Sequence, residues 1–208
     1  MIAHLSPLIV EDAVARALKE DFGDAGDITT NATIPAGAKV KAVIAARKPG
    51  VVAGVDAALA AFRLTDPAIT ITVEKDDGAR VAKGDVILSI SGPARGVLSA
   101  ERVALNFMGH LSGVATATAA LVDAVAGTNA KIVCTRKTSP GLRAFEKHAV
   151  RCGGGHNHRF GLYDAVMIKD NHIVASGGIA KALAAARDAV GHMVKIEIEV
   201  DGLDQLED

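Results

Sequence analysis

With 208 residues, half of them hydrophobic, and a net charge of −1, the chain can form one large domain or two small ones around a substantial core. Six aromatic residues are too few for the stacking surface of a single-stranded nucleic-acid-binding protein, and two cysteines are too few for a disulfide framework. No uncharged apolar stretch reaches the length of a membrane span, and the N-terminus lacks the basic leader of a signal peptide. We therefore expect a reduced, soluble, cytoplasmic protein without a membrane or nucleic-acid partner.

The first hundred residues predict a mixed α+β domain. Ser6 and Pro7 are typical of a helix start, an apolar stripe continues to about Asp21, and FGDAGDITT then predicts a loop. A short helix is predicted near residues 56–62. The β-rich segments around it are KVKAVIAAR, GVVAGV, AITITVEK and DVILSISG. We expect this domain to end near residue 105, so that residues 1–105 and 106–208 form two domains.

The second half begins with a long helical region and then alternates between strands and helices. SAERVALNFMGHLSGVATATAALVDAV predicts a helix that is capped by Ser99 and interrupted around residues 109–113. The β-rich segments KIVCT, DAVMIK and MVKIEIEV alternate with the helical segments PGLRAFEKHAVRC and GGIAKALAAARDAV, and GLDQLED begins another helix. Such alternation predicts a parallel sheet with right-handed crossovers.

Three strands cannot close a barrel, so two architectures fit this half of the chain. One is a small open α/β domain, and the other is a truncated (β/α) barrel. A complete barrel takes roughly 200 to 250 residues. Fewer than eighty residues follow Lys131, so we favour the incomplete barrel, with about three barrel strands.

Positive charge is concentrated in residues 136–172. This segment holds four of the seven histidines, and its seven cationic residues against three acidic ones give it a net charge of +4. The cationic residues are Arg136, Lys137, Arg143, Lys147, Arg151, Arg159 and Lys169. A local basic cluster in a chain with a sequence pI near 6.7 predicts a small anionic ligand, because a nucleic-acid footprint usually raises the overall pI.

Several charged residues follow the predicted strands directly. Thr135, Arg136 and Lys137 end the first β-rich segment, and Lys169 ends the second. The third carries Glu197 and Glu199, which lie two apart and so face the same side of the strand. In parallel α/β folds, ligands bind at the carboxyl ends of strands, so we expect these side chains to converge on one rim.

The stretch RCGGGHNHR, residues 151–159, allows a metal site, a turn or an anion site. A zinc site built from Cys152, His156 and His158 lacks a fourth ligand and any CxxC or HExxH spacing, so we expect no metal there. Gly153 alone would suffice to end the preceding helix. We expect the three glycines to let the backbone approach a ligand while His158 and Arg159 donate to an anion.

Four longer segments resemble one enzyme family. TRKTSPGLRAFEKHAV, GGGHNHRFGLYDAVMIKDNHI, ERVALNFMGHLSGVATAT and EDFGDAGDITT resemble quinolinate phosphoribosyltransferase, also called nicotinate-nucleotide pyrophosphorylase (carboxylating), over about residues 21–208. The family couples quinolinate to phosphoribosyl pyrophosphate with loss of carbon dioxide, forming nicotinate mononucleotide for NAD synthesis. The resemblance implies an N-terminal α/β sandwich, an incomplete (β/α) barrel, and homodimers or hexamers with shared active sites.

The resemblance also implies roles for individual residues. Lys137 and Glu199 would be catalytic, with Lys137 meeting the phosphoribosyl donor and Glu199 facing the ribose and Mg²⁺; no metal would be held by the protein alone. The residues implied to bind substrate are Arg102 (from the partner subunit), Thr135, Arg136, Lys137, His158, Arg159, Lys169 and Glu199.

Two departures from the family pattern keep alternatives open. The residue before Thr135 is often acidic in the family and is Cys134 here, and the family's later aspartate and glycine-rich phosphate-binding strand ends would lie beyond Asp208. One alternative is the molybdenum-transport-associated paralogue, although Lys169 and the residues after it favour the quinolinate enzyme. Another is a non-catalytic, truncated subunit.

Overall fold

The computed structural model describes residues 2–206. The chain divides into two compact units, the first ending at Asn157 and the second beginning at His158. The domain boundary predicted near residue 105 falls inside a continuous helix. The second predicted domain ends at Asp208, which lies outside the described residues. The α/β class predicted from the sequence is confirmed.

The first unit contains two antiparallel sheets and five helices among its described residues. One sheet has the strand order β1–β5–β3, and the other pairs β2 with β4. In chain order the elements are α1 (Pro7–Phe22), α2 (Ile28–Thr33), β1 (Lys39–Ala45), β2 (Gly50–Val51), α3 (Val55–Thr65), β3 (Thr70–Val73), β4 (Arg80–Val81), β5 (Val86–Pro93), α4 (Ala94–Ala124) and α5 (Arg143–Cys152).

Helix α2 replaces part of the loop predicted for FGDAGDITT. Asp27 caps it, because its carboxylate accepts a hydrogen bond from the Thr30 backbone N–H at 2.8 Å. The same carboxylate accepts the hydroxyl of Ser99 at 2.9 Å. Ser99 was predicted to cap α4, but it lies inside that helix, which begins five residues earlier at Ala94. Its hydroxyl instead connects α4 to the start of α2.

Helix α4 forms the centre of the first unit. It runs without interruption through Gly109 and Gly113, although two glycines cost an isolated helix roughly 2 kcal/mol. Burial offsets this cost, since side chains such as Leu111 pack in one core with Phe62 of α3, each contributing about 1.5–3 kcal/mol. By length and hydropathy α4 could cross a membrane. Its packing against α3 instead identifies it as a core helix.

The three glycines after α5 have a packing role that the sequence analysis missed. A Cβ on Gly153 would collide with the Ala115 carbonyl oxygen of α4 and lie 2.7 Å from Cβ of Thr118, and one on Gly155 would lie 2.8 Å from the Thr118 methyl group. Gly154 has φ +85°, a conformation that side chains disfavour. The glycines therefore allow the chain to turn directly against α4, whereas we had expected them to make room for a ligand.

The segment KIVCT does not form the predicted strand. It contributes a single parallel bridge, between Val133 and His156, in which Cys134 N donates to the His156 carbonyl and His156 N donates to the Ile132 carbonyl. Because this bridge pairs only one residue on each side, it does not continue into a β-ladder. The following helix, α5, begins at Arg143, three residues after the predicted proline start.

The second unit is a βααβ arrangement with a parallel strand pair. Its elements are β6 (Val166–Ile168), α6 (Asp170–Ser176), α7 (Ile179–Ala189), β7 (Ile196–Ile198) and a 3₁₀ turn (Leu203–Leu206). Strands β6 and β7 pair in parallel, with Met167 opposite Glu197. This is the βαβ unit that the alternation predicted, although α6 was not foreseen. The predicted final helix appears as the 3₁₀ turn, as far as residue 206.

Candidate active site

Residues 135–139, which follow KIVC in the first unit, form a polar surface. The Thr135 hydroxyl accepts a hydrogen bond from the Lys137 backbone N–H at 3.1 Å, which turns the chain and leaves the Lys137 side chain exposed. With Ser139 and Glu146, these residues line a cavity of about 270 Å³. Two of the predicted substrate-binding residues, Thr135 and Lys137, thus share one concave surface.

Glu146 of α5 holds this segment in place, and the sequence analysis did not single it out. One carboxylate oxygen accepts the Ser139 backbone N–H at 3.1 Å, and the other lies 2.8 Å from Nε2 of His110 on α4. Burial opposes the charged form of Glu146, but the hydrogen bonds from Ser139 and His110 outweigh it and lower the pKa of this carboxyl. Glu146 therefore connects residues 135–139 to both α4 and α5.

We expect Glu146→Gln to lower the free energy of unfolding at pH 7 by about 1–3 kcal/mol, because a charge-assisted hydrogen bond is replaced by a neutral one. Since the folded-state pKa lies below the ordinary value of 4.5, this stabilisation is complete above that pH and is lost as the pH falls through the folded-state pKa. Urea unfolding between pH 7 and pH 3 should show a smaller loss of stability in the variant than in the wild type. Glu11→Gln, at an exposed position on α1, is the control, and equal behaviour of the two variants would contradict the assignment.

Arg136 and Arg159 share a property that distinguishes them from surface arginines. In each, Nε is buried and has no hydrogen-bond partner among the described residues. Arg159 is anchored by its Nη1, which donates to the Ala165 carbonyl at 3.1 Å. A buried donor left without a partner costs about 1–3 kcal/mol, so both guanidinium groups are suited to an incoming acceptor such as a carboxylate.

In the second unit, a lysine and a histidine contact two carboxylates in and just after the parallel strands. Lys169 follows β6 and its Nζ lies 2.6 Å from a carboxylate oxygen of Glu199, which follows β7. His158 lies 3.1 Å from the carboxylate of Glu197. The prediction that these strand ends bring charged side chains together is confirmed within this unit, and the convergence of Arg136 and Lys137 on the same rim stays a prediction.

Arg102 occupies a different place in the first unit. It is exposed on α4 and lines a cavity of about 490 Å³ together with Arg47 and Glu101, apart from the cavity of Thr135 and Lys137. Among residues 2–206 it forms no ion pair, which argues against the simple pairing with Glu101 that its sequence position allows. Its guanidinium is available to a ligand or to another subunit.

Cys134 lines the same cavity as Thr135 and Lys137 and lies next to a buried lysine. Lys147, whose side chain is almost completely buried, places Nζ 2.9 Å from the Cys134 sulfur. The interpretation of Cys134 as a simple strand residue is therefore incomplete, because it also helps to accommodate the charge of Lys147. Periodicity could not have found this contact, since a lysine in an amphipathic helix is normally expected on its solvent-exposed face.

Comparisons with known proteins identify one family that matches both halves of this chain. Residues 27–112 match the family described as "Quinolinate phosphoribosyl transferase, N-terminal domain", and residues 114–208 match its C-terminal domain. The chain is similar to the nicotinate-nucleotide pyrophosphorylase (carboxylating) of Mycobacterium leprae, with 50% identity over 200 residues that cover 94% of this chain and 69% of that protein.

Two further relatives give the same result. The probable nicotinate-nucleotide pyrophosphorylase (carboxylating) of Bacillus subtilis is 48% identical over 90% of this chain and 64% of that protein. The crystal structure of NadC from Streptococcus pyogenes matches with a TM-score of 0.94 and 43% identity, over 99% of this chain and 72% of that one. The chain thus spans about two thirds to three quarters of the length of these bacterial relatives.

Proposed function

The chain belongs to the quinolinate phosphoribosyltransferase family, and on this premise we propose that it transfers the phosphoribosyl group of phosphoribosyl pyrophosphate to quinolinate with decarboxylation. The products are nicotinate mononucleotide, pyrophosphate and carbon dioxide, and the reaction serves NAD synthesis. The observation that carries the proposal is that the buried guanidinium Nε atoms of Arg136 and Arg159 have no partner in the described part of the chain, and both residues lie at positions of the family motifs. The relatives described above are named nicotinate-nucleotide pyrophosphorylases, which favours this activity over that of the molybdenum-transport-associated paralogue.

Quinolinate carries two carboxylates, so its binding requires several fixed cations. We propose that Arg136, His158, Arg159 and Lys169 hold them, with planar guanidinium forks matching carboxylates in bidentate fashion. Lys169 can keep its contact with Glu199 while binding substrate, because an ammonium group has three donor hydrogens. The contact with Glu197 would orient the imidazole of His158 for binding a quinolinate carboxylate.

In the reaction that we propose, the quinolinate ring nitrogen attacks the anomeric carbon as the bond to pyrophosphate breaks. Thr135 and Lys137 would contact the donor, and the ammonium of Lys137 would stabilise the negative charge that develops on the leaving group. Glu199 would face the oxocarbenium-like ribose. Carbon dioxide leaves afterwards, when the positive charge on the quaternised ring nitrogen can stabilise the electron pair left on the adjacent ring carbon, and that carbon then takes up a proton from solvent.

Mg²⁺ would arrive with the phosphoribosyl donor as part of that substrate. The carboxylate of Glu199 is half exposed and offers oxygen, the ligand type that Mg²⁺ prefers, so the residues present fit the ion. We propose no resident metal at His156 or His158, because the imidazole of His158 contacts Glu197 and the segment has no CxxC or HExxH spacing.

We further propose a cytoplasmic homodimer or hexamer with active sites shared between subunits, in which Arg102 reaches the partner's quinolinate. The unpaired, exposed guanidinium of Arg102 supports this arrangement. Neither a nucleic acid nor a membrane is required as a partner.

A reconstituted assay tests the proposed function. We expect the protein to form nicotinate mononucleotide, detected by chromatography, only when quinolinate, phosphoribosyl pyrophosphate and Mg²⁺ are all present, and to stop when Mg²⁺ is chelated. Quinolinate binding by calorimetry without any turnover would support the non-catalytic alternative instead. Absence of both binding and turnover would refute the assignment.

A further inference from the structure

Three side chains that the proposed reaction does not use meet inside the first unit. Potential ligand atoms of Asp77, His148 and Cys152 (one oxygen, one nitrogen and one sulfur) all lie within 4.8 Å of one another. The side chains of Asp77 and His148 are each only 6% exposed, and Cys152 is equally buried. Oxygen, imidazole nitrogen and thiolate sulfur are the three ligand types that zinc takes from proteins.

The cluster is assembled from distant parts of the chain. His148 and Cys152 lie four residues apart on α5, which places both on one face of the helix. Asp77 lies in the turn between β3 and β4, and one of its carboxylate oxygens accepts the backbone N–H of Val55, at the start of α3, at 3.0 Å. This hydrogen bond orients the carboxylate so that its second oxygen points to His148, at 2.7 Å from Nε2. Such support from a neighbouring backbone group is typical of metal-binding carboxylates.

The surroundings carry a surplus of negative charge. The carboxylates of Asp77, Asp76 and Asp56 act on Cys152 as nearby negative charges, and Asp77 acts most strongly. His4 is the other imidazole nearby, and it lies 3.1 Å from the carboxylate of Asp56. A cation among these groups would be attracted by all three carboxylates, which are costly to bury or crowd without compensation.

We propose that Asp77, His148 and Cys152 form a zinc-binding site that fastens α5 to the β3–β4 turn and the start of α3. A tetrahedral zinc ion with bonds of about 2.0–2.3 Å holds its ligand atoms roughly 3.3–3.8 Å apart. The Asp77–His148 distance would lengthen from 2.7 Å by roughly 0.6 Å, and the sulfur would approach the other two ligand atoms by up to about 1.3 Å, which requires small side-chain rotations. Water would supply the fourth ligand, and none of the three side chains is among the residues proposed to bind quinolinate.

Cobalt substitution provides a direct test of this site. The protein is freed of metal with a chelator and titrated with Co²⁺, which reports a tetrahedral thiolate site by its charge-transfer absorption, and Zn²⁺ is then added in competition. We expect one equivalent to bind with the thiolate absorption, and Zn²⁺ to displace it. We also expect Zn²⁺ to raise the midpoint of thermal unfolding, because it binds the folded state.

Two variants and a matched control test which side chains bind the metal ion. Cys152→Ser and Asp77→Asn should each weaken Zn²⁺ binding about tenfold or more, and Cys152→Ser should abolish the thiolate absorption. Cys134→Ser removes the other cysteine and should leave both properties unchanged. If Co²⁺ binds without thiolate absorption, if Cys152→Ser binds as the wild type does, or if no metal binds while the circular dichroism shows a folded protein, the proposal is overturned.

Discussion

Replacing Arg136 or Arg159 by alanine is expected to abolish detectable quinolinate binding while leaving the fold intact. Each guanidinium has a buried Nε without a partner in residues 2–206, so it is suited to a charge-assisted bond to a substrate carboxylate. Removing one partner from such a buried charged pair costs about 2–5 kcal/mol, which corresponds to a loss of affinity of roughly 30-fold to several thousand-fold.

Isothermal titration with quinolinate measures this loss, and Arg151→Ala is the control, because Arg151 is an exposed arginine of α5 in the same basic segment. Arg159 also donates to the Ala165 carbonyl, so circular dichroism of Arg159→Ala has to accompany the titration. Arg136→Lys and Arg159→Lys keep the positive charge but lose the planar guanidinium that can bind a carboxylate through two hydrogen bonds. We therefore expect their quinolinate affinity to lie between that of the wild type and that of the alanine variants. Near-normal quinolinate affinity in either alanine variant would contradict the assignment of the substituted residue to the site.

The second large effect concerns Arg102 and the sharing of active sites between subunits. If Arg102 serves the partner's site, Arg102→Ala and Lys137→Ala proteins should each be inactive alone. A mixed dimer has one site with both wild-type residues and one site with neither. At equal mixing, about one quarter of wild-type activity should therefore return, given two-fold symmetry and free exchange of subunits.

The complementation experiment needs proof that mixed dimers form, for which two different affinity tags are sufficient. Quinolinate binding provides the same readout where turnover is not detectable, with Arg136→Ala used in place of Lys137→Ala. Arg63→Ala, on the exposed part of α3, is a suitable control for Arg102, since it should retain activity without any partner. Failure of complementation despite proven mixed dimers would mean that Arg102 acts on its own chain or has no role in the site.

The sequence by itself determined the family, the α/β class and several contacts of the candidate site. Strand alternation and the strand-end rule were enough to bring Lys169 together with Glu199, because two parallel strands necessarily end at the same edge. The helical stripe after Pro7 and the short helix near residue 56 were found for a similar reason. Periodicity is a local property of the chain, and burial on one face enforces it.

Only the tertiary structure decided the features that depend on distant partners. Gly109 and Gly113 predicted an interruption that the burial of α4 overrides, and the glycines at 153–155 are explained by their contact with that helix. Glu146 connects Ser139 to His110 of α4, and Asp77 meets His148 across 71 positions of sequence. Sequence spacing carries no signal for such pairs, because the free energy of a buried polar contact depends on which groups the fold places within hydrogen-bonding distance.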